Sequence, residues 1–203
     1  MRLNRRDLLV KSGQTLVGGA ILGGGLALLA RVLGAESPQY VVAGEPGILR
    51  PPGALEEREF LATCIRCQRC QDACPSQAIR LARPGERAAT GTPFILPTDH
   101  GCTLCLECTR TCPTGALRLT QDKTQVAMGT AAIDERLCVV LNHSGICGAC
   151  HTACPLKNKA IRLGLRNAPE VDPDHCVGCG LCEEACILKG TKAIRVYSDR
   201  GPS

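Results

Sequence analysis

The sequence predicts an α+β fold made of small repeated units that are stapled together by cysteine. Three observations predict it. Sixteen of the 203 residues are Cys, and they fall into four groups of four. Each group is followed by a short stretch that alternates apolar and polar residues, as a half-buried strand does. Aromatic residues make up only 2% of the chain, with no Trp, two Tyr and two Phe, so a large aromatic core is excluded. With 22 Gly and 13 Pro the chain is rich in turns. Cross-linking by cysteine chemistry must therefore supply what apolar burial does not.

The first 35 residues read as an address. Asn4-Arg5-Arg6-Asp7-Leu8-Leu9 precedes an apolar run from Thr15 to Ala30, interrupted by Arg31. That run is short for a membrane span. A basic start, an apolar middle and a small residue at Ala35 match an export signal, and the adjacent arginines indicate the twin-arginine route. Export by the twin-arginine translocase would deliver the protein already folded to the periplasm. Leu33-Gly34-Ala35 places a bulky residue where cleavage prefers a small one, so a retained signal holding the chain at the inner membrane is the alternative. This segment contributes Arg2, Arg5, Arg6, Lys11 and Arg31 against Asp7, or +4 of the chain's +5. The rest is nearly neutral, which excludes a nucleic-acid-binding balance. Residues 36–53 hold four prolines and read as an extended linker arm. The cysteine-bearing region then spans 54–198, with a tail at 199–203.

The first cysteine group is Cys64-x2-Cys67-x2-Cys70-x3-Cys74-Pro75, and the second is Cys102-x2-Cys105-x2-Cys108-x3-Cys112-Pro113. The third, Cys138-x8-Cys147-x2-Cys150-x3-Cys154-Pro155, has a stretched first interval. The fourth is Cys176-x2-Cys179-x2-Cys182-x3-Cys186, followed by Ile187 where the others have Pro. This spacing is the bacterial ferredoxin run for [4Fe–4S] clusters. Three thiolates at intervals of three can wrap one face of a cubane, and the fourth points away to its neighbour. The expected cofactors are four [4Fe–4S] clusters held by all sixteen cysteines, in two bacterial-ferredoxin-like units of two clusters each. Zinc prefers two Cys-x2-Cys pairs around one tetrahedral ion, and cysteines three apart on a tight loop rarely meet disulfide geometry. His143 lies inside the stretched interval as an alternative ligand. His100, His151 and His175 lie near cysteines, where they could tune a cluster or simply face solvent.

Strands are expected at Ala78–Leu81, Ala116–Leu119, Ala160–Leu163 and Ala193–Val196, each carrying an Arg that either serves anionic clusters or faces outward. Lead-in strands are expected at Phe94–Leu96, Ala131–Asp134 and Val171-Asp172. A helix is expected from Ala54 to Thr63, with Leu55, Phe60 and Leu61 on one side. Two pairings of the motifs are open. Adjacent pairing joins the first group to the second and the third to the fourth. Nested pairing joins the second to the third and the first to the fourth. Two apolar stretches around Gln121-Asp122-Lys123 look like an internal hairpin, which favours nesting. Nesting would put Cys102, Cys105, Cys108 and Cys154 on one cluster and Cys138, Cys147, Cys150 and Cys112 on another. Cys64, Cys67, Cys70 and Cys186 would hold a third, and Cys176, Cys179, Cys182 and Cys74 the fourth.

Beyond the cysteines, the sequence resembles the NapG/MauM type of four-cluster, twin-arginine-exported ferredoxins. The residues that carry the likeness are Arg5-Arg6, Arg50-Pro51-Pro52-Gly53-Ala54-Leu55, Gly91-Thr92-Pro93, Met128-Gly129, the stretched third group and Cys176-Val177-Gly178-Cys179-Gly180. The compact Cys105-x2-Cys108 interval and the short tail depart from the NapG pattern. The resemblance implies electron transfer from a membrane quinol dehydrogenase subunit (NapH-like) to a periplasmic reductase or cytochrome, and its NapG side points first to nitrate reductase as that reductase. A role beside methylamine oxidation is the MauM-like alternative. An iron–sulfur subunit of a molybdenum-enzyme or hydrogenase complex, and a maturation protein with structural clusters, are the readings from other classes. No nucleophile–base–acid set and no phosphate-binding glycine loop are present, so no catalysis by the chain alone is expected.

Overall fold

The computed structural model describes residues 47–198. Residues 1–35, where an export signal is expected, residues 36–46 of the arm and the tail lie outside the described residues. Among the described residues no helix is long and apolar enough to cross a membrane.

The chain enters extended and buried. Ile48 to Pro52 are buried, so this end of the arm is packed in the core rather than exposed as a linker. Ala54 forms an antiparallel bridge with Leu117, and the Leu55 N–H donates to the Ala116 carbonyl at 3.1 Å. That bridge holds Ala54 and Leu55 extended, so the first helix, α1, starts later than its apolar pattern suggests and runs Glu57–Thr63. Glu57 and Glu59 in its first turn favour the positive end of the helix. Phe60 anchors it with no exposed surface.

Each cysteine group ends in a helix of about one turn: α2 (Arg69–Asp72), α3 (Glu107–Thr111), α4 (Ala149–Ala153) and α5 (Leu181–Glu184). Between α2 and α3 lies a hairpin of β1 (Ile79–Leu81) and β2 (Pro93–Ile95), with Ile79 opposite Ile95. Between α4 and α5 lies the matching hairpin of β4 (Ile161–Leu163) and β5 (Pro169–Val171), with Ile161 opposite Val171. β3 (Thr130–Ile133), which leads into the third group, pairs antiparallel with β6 (Ile194–Tyr197), which follows the fourth.

This topology overturns the nested pairing. The segments around Gln121 do not pair with each other. Leu117 is taken by Ala54, and β3 is taken by β6. Only the single bridge at Leu117 forms where a strand over Ala116–Leu119 is expected. Lys123–Gln125 is a 3-10 turn, with Asp122 accepting from the Thr124 N–H at 2.8 Å. The fold is two ferredoxin-like halves in sequence. In each, the lead-in to the first motif pairs with the segment closing the second. α2 packs on α3 in the first half, and α4 on α5 in the second. One apolar cluster, including Phe60, Leu104, Leu117, Ile161 and Ile194, runs through both halves.

Candidate iron–sulfur centres

The loops that carry the cysteines are bent by residues in the left-handed region. Arg66 and Gln68 (φ 57° and 67°) occupy the two intervals of the first motif, and Leu104 and Leu106 (57° and 64°) those of the second. Gly178 and Gly180 (71° and 81°) do so in the fourth. A side chain in that region costs roughly 1–2 kcal/mol, which glycine largely avoids. Small residues are therefore not what opens these loops in the first half. The bend turns main-chain N–H groups inward: Leu104 donates to the Cys102 sulfur at 3.4 Å. Leu117 and Ala131 donate likewise to Cys112 and Cys176, each at 3.4 Å. The third motif differs, because its interval is stretched and Gly148 before α4 has φ −158°.

All sixteen thiols are free. In the second half, Cys138, Cys147, Cys150 and Cys186 line one cavity, walled by Ile133 and Ile194. Cys154, Cys176, Cys179 and Cys182 line a second, beside Val177 and Val196. The first half follows the same plan. Cys74 lies in electrostatic reach of Cys102 and Cys108, and Cys70 of Cys64 and Cys67. Cys112 holds the position equivalent to Cys186. The sets of Cys102 and Cys179 are inner: Leu104 and Val177 in their loops are 0% and 5% exposed. The sets of Cys64 and Cys138 are outer: Ile65 and Ile146 in theirs are 64% and 88% exposed.

Burial and crowding set the acid–base chemistry. Burial, with neighbouring thiols adding to it, pushes Cys108 and Cys179 each up to about 12. Cys70, Cys102 and Cys150 rise to about 11, burial again leading. Cys182 rises further for the same reasons. Cys112 goes the other way: its burial is outweighed by N–H groups of Leu117, Thr114 and Gly115 and by the Thr114 hydroxyl. Among the described residues no three Cys, His, Asp or Glu side chains close on a single metal ion. The thiols ring a volume instead, which fits a polynuclear iron–sulfur guest.

The other sequence candidates have surface roles. His151 Nε2 lies 2.8 Å from Asn158 Oδ1, and His175 Nδ1 lies 3.2 Å from Asp172 Oδ2. His100 Nδ1 lies 3.7 Å from Glu184 Oε1, and His143 is an exposed turn residue at φ 61°. The strand arginines reach carboxylates or a ring: Arg80 to Asp99 at 2.7 Å, Arg162 to Asp172 at 2.6 Å, Arg118 to Glu59 at 3.8 Å, and Arg195 over Tyr197.

Three supporting residues have no signature in the cysteine spacing. Arg50 is 0% exposed and joins three elements. It pairs with Glu57, donates to Thr92 Oγ1 at 2.9 Å and the Pro93 carbonyl at 2.8 Å, and lies over the Phe60 ring. Glu183, 4% exposed, accepts from the Val196 N–H at 2.7 Å, and burial raises its carboxyl despite that bond. Glu184 accepts from the Gly101 N–H at 2.7 Å. The acidic pair inside a cysteine helix was the one available signal for the last two.

Family comparison agrees with this geometry. The 4Fe-4S dicluster domain matches residues 63–116 and again 101–158, and the 4Fe-4S binding domain matches 169–186. The chain is 42% identical to the methylamine utilization ferredoxin-type protein MauM of Methylorubrum extorquens, over 95% of this chain and 88% of that protein. It is 36% identical to the ferredoxin-type protein NapG of Escherichia coli, over 85% of this chain and 79% of that protein. The chain belongs to the MauM/NapG ferredoxin-type family. The likeness to MauM of Paracoccus denitrificans, 37% over 96% of this chain, extends over nearly its whole length. As a MauM/NapG ferredoxin-type protein it carries [4Fe–4S]-binding domains. The two overlapping dicluster matches share the second motif, and the strand pairing assigns that motif to the first.

Proposed function

We propose that this protein is a periplasmic electron carrier with four [4Fe–4S] clusters, exported folded by the twin-arginine translocase. The observation that carries the reading is the gathering of eight free thiols of the second half into two sets of four, each lining one cavity, in a fold whose first half repeats the same helix and hairpin order. Cys64, Cys67, Cys70 and Cys112 form the first outer set, and Cys102, Cys105, Cys108 and Cys74 the first inner set. Cys176, Cys179, Cys182 and Cys154 form the second inner set, and Cys138, Cys147, Cys150 and Cys186 the second outer set. When bound, each cluster would supply one-electron redox chemistry. The chain's own part is to bind the iron with thiolates, exclude water with Leu104, Val177 and Ile161, and direct N–H groups at sulfur, which tunes potential.

The electrons come from a membrane quinol-oxidising partner of the NapH kind and go to a periplasmic reductase. On this reading that reductase is nitrate reductase, and the chain itself catalyses nothing. The 42% identity to a methylamine utilization protein favours a second reading, in which the same carrier serves methylamine oxidation. Anaerobic purification with iron, sulfide and zinc analysis is the test. About sixteen iron and sixteen sulfide per chain support four clusters, whereas zinc or a clear shortfall of iron overturns them. Reduction of the loaded protein by a quinol-linked membrane fraction, followed by reoxidation with either periplasmic acceptor, separates the two pathways.

A further inference from the structure

We propose that the four thiol sets form one unbranched line, crossing between halves at Cys102 and Cys179. The order is first outer, first inner, second inner, second outer. This rests on the four-cluster reading above and adds a route to it.

Three links define the line. Within the first half, Cys70 and Cys108 lie on the packed helices α2 and α3, joining outer to inner. Within the second, Cys150 and Cys182 lie likewise on the packed helices α4 and α5. Between the halves, the Cys102 N–H donates to the Cys179 carbonyl at 2.7 Å, and the Cys102 thiol is close enough to help raise Cys179. This order differs from the order of the motifs in the sequence, where the stretched third group follows the second.

The crossing is built to be tight. Gly101 precedes Cys102, and a Cβ there would stand 2.6 Å from the Leu181 nitrogen and 2.8 Å from the Gly180 carbonyl carbon, both backbone. A Cβ on Gly180 would meet the Pro97 ring at 2.7 Å. Glu184 fastens the same place by accepting from the Gly101 N–H. Two glycines thus let the backbone of one half touch the other where an inner set sits on each side. Electron tunnelling weakens steeply with distance, so the closest contact governs exchange between halves. The ends are open instead: Ile65, Ile146 and Ile187, beside outer-set cysteines, are 64%, 88% and 59% exposed. Each exchange oxidises one side and reduces the next by one electron. No bond forms or breaks, and the quinol-oxidising partner and the terminal acceptor supply and remove the electrons.

The test is pulsed EPR of the reduced holoprotein, with iron and sulfide assayed on the same sample. Gly101→Val should keep about sixteen iron and weaken the magnetic interaction between halves several-fold, leaving that within each half intact. An unchanged interaction at full iron content overturns the crossing. A second variant decides independently of that glycine. Removing two ligands from each outer set (Cys64→Ala with Cys67→Ala, Cys138→Ala with Cys147→Ala) leaves the inner sets, whose signals should remain coupled at about eight iron. Two uncoupled signals overturn the order. Iron far below sixteen in the unaltered protein overturns the four-cluster reading instead, so the two failures are distinct.

Discussion

The two halves share one plan and differ in what supports it. In the first half the lead-in and closing segments meet at one bridge, Ala54 with Leu117. In the second they form a ladder of four residue pairs, β3 with β6. The first half compensates with α1 and the buried Arg50 cluster, which has no counterpart among the described residues after Gly129. The second half carries the stretched interval, and its helix α4 has no buried residue, whereas α3 buries Cys108 and Thr109. The repeated part is the placement of thiols. The polar and apolar scaffolding around them is local, and each half closes in its own way.

The sharpest way to break that comparison is to remove Arg50. Arg50→Ala leaves Glu57 half-enclosed, with Thr92 and the Pro93 carbonyl short of a donor. Breaking a buried pair typically costs about 3–5 kcal/mol, and Glu57 can still reach solvent, so we expect about 3. Only the first half depends on this cluster, so thermal scans should split into two transitions. Iron should fall toward roughly half at the lower one. A single transition with all iron lost together would mean that the halves unfold as one unit. Arg50→Lys should recover only part of the loss, because an ammonium cannot reproduce the fork to Glu57 while also reaching Thr92.

The next effect contrasts outer with inner thiol sets. Chelator and oxygen should strip iron in two phases, the fast one from the sets near Ile65 and Ile146. Cys147→Ser should remove part of the fast phase and spare the slow one. If instead it speeds the slow phase, the outer sets are shielding the inner ones.

The cysteine spacing made the α+β class, the thiol inventory and the strands after motifs one, three and four legible. Hydrophobic alternation placed β1, β4 and β6 to within a residue. The motif pairing was not legible, and the reason is physical. Strands of three or four residues carry too little pattern to specify a partner, so Ala116–Leu119 and Ala131–Asp134 fit each other on paper as well as they fit their true neighbours. Arg50 was hidden because an Arg among prolines reads as a solvated arm, and only tertiary contacts reveal Thr92 and Glu57 around it. Gly53 in the same stretch was ambiguous for a similar reason. Its φ of 73° and a Cβ position 2.2 Å from the Arg118 carbonyl oxygen show that the chain needs a glycine where two segments touch.

Protonation gives a milder, pH-dependent contrast. In the metal-free chain Cys112 is held below the usual thiol value, while Cys108 and Cys179 stand at about 12. A lowered pKa means more thiolate at a given pH, so iodoacetamide near pH 8 should label Cys112 early and Cys108 and Cys179 last. Raising the pH should narrow the gap as the buried thiols begin to ionise. The same sign governs reconstitution: binding iron displaces protons from the raised thiols, so assembly should favour higher pH and release acid in unbuffered solution. Peptide mapping of the alkylated chain measures the first, and a pH-stat the second. Equal labelling at Cys112 and Cys108 would show that burial of the inner set depends on iron being there.

The smallest effect concerns the strand arginines. Arg80 binds Asp99 at 2.7 Å on a partly exposed surface, and its side chain is 34% exposed. An ion pair of that kind contributes about 0–1 kcal/mol, and salt screens it. Arg80→Ala should therefore lower stability by an amount at the edge of detection. It should also leave every cluster's midpoint potential unchanged, because the guanidinium is already engaged by a carboxylate. Arg195, placed over Tyr197 and close enough for its charge to favour the ionised Glu183 carboxylate, is the informative partner variant. If Arg80→Ala and Arg195→Ala both leave the redox titration in place, the arginine repeated after each motif belongs to the strand surface. A downward shift with Arg195→Ala alone would mean that the second half uses the charge of Arg195 where the first half uses a salt bridge.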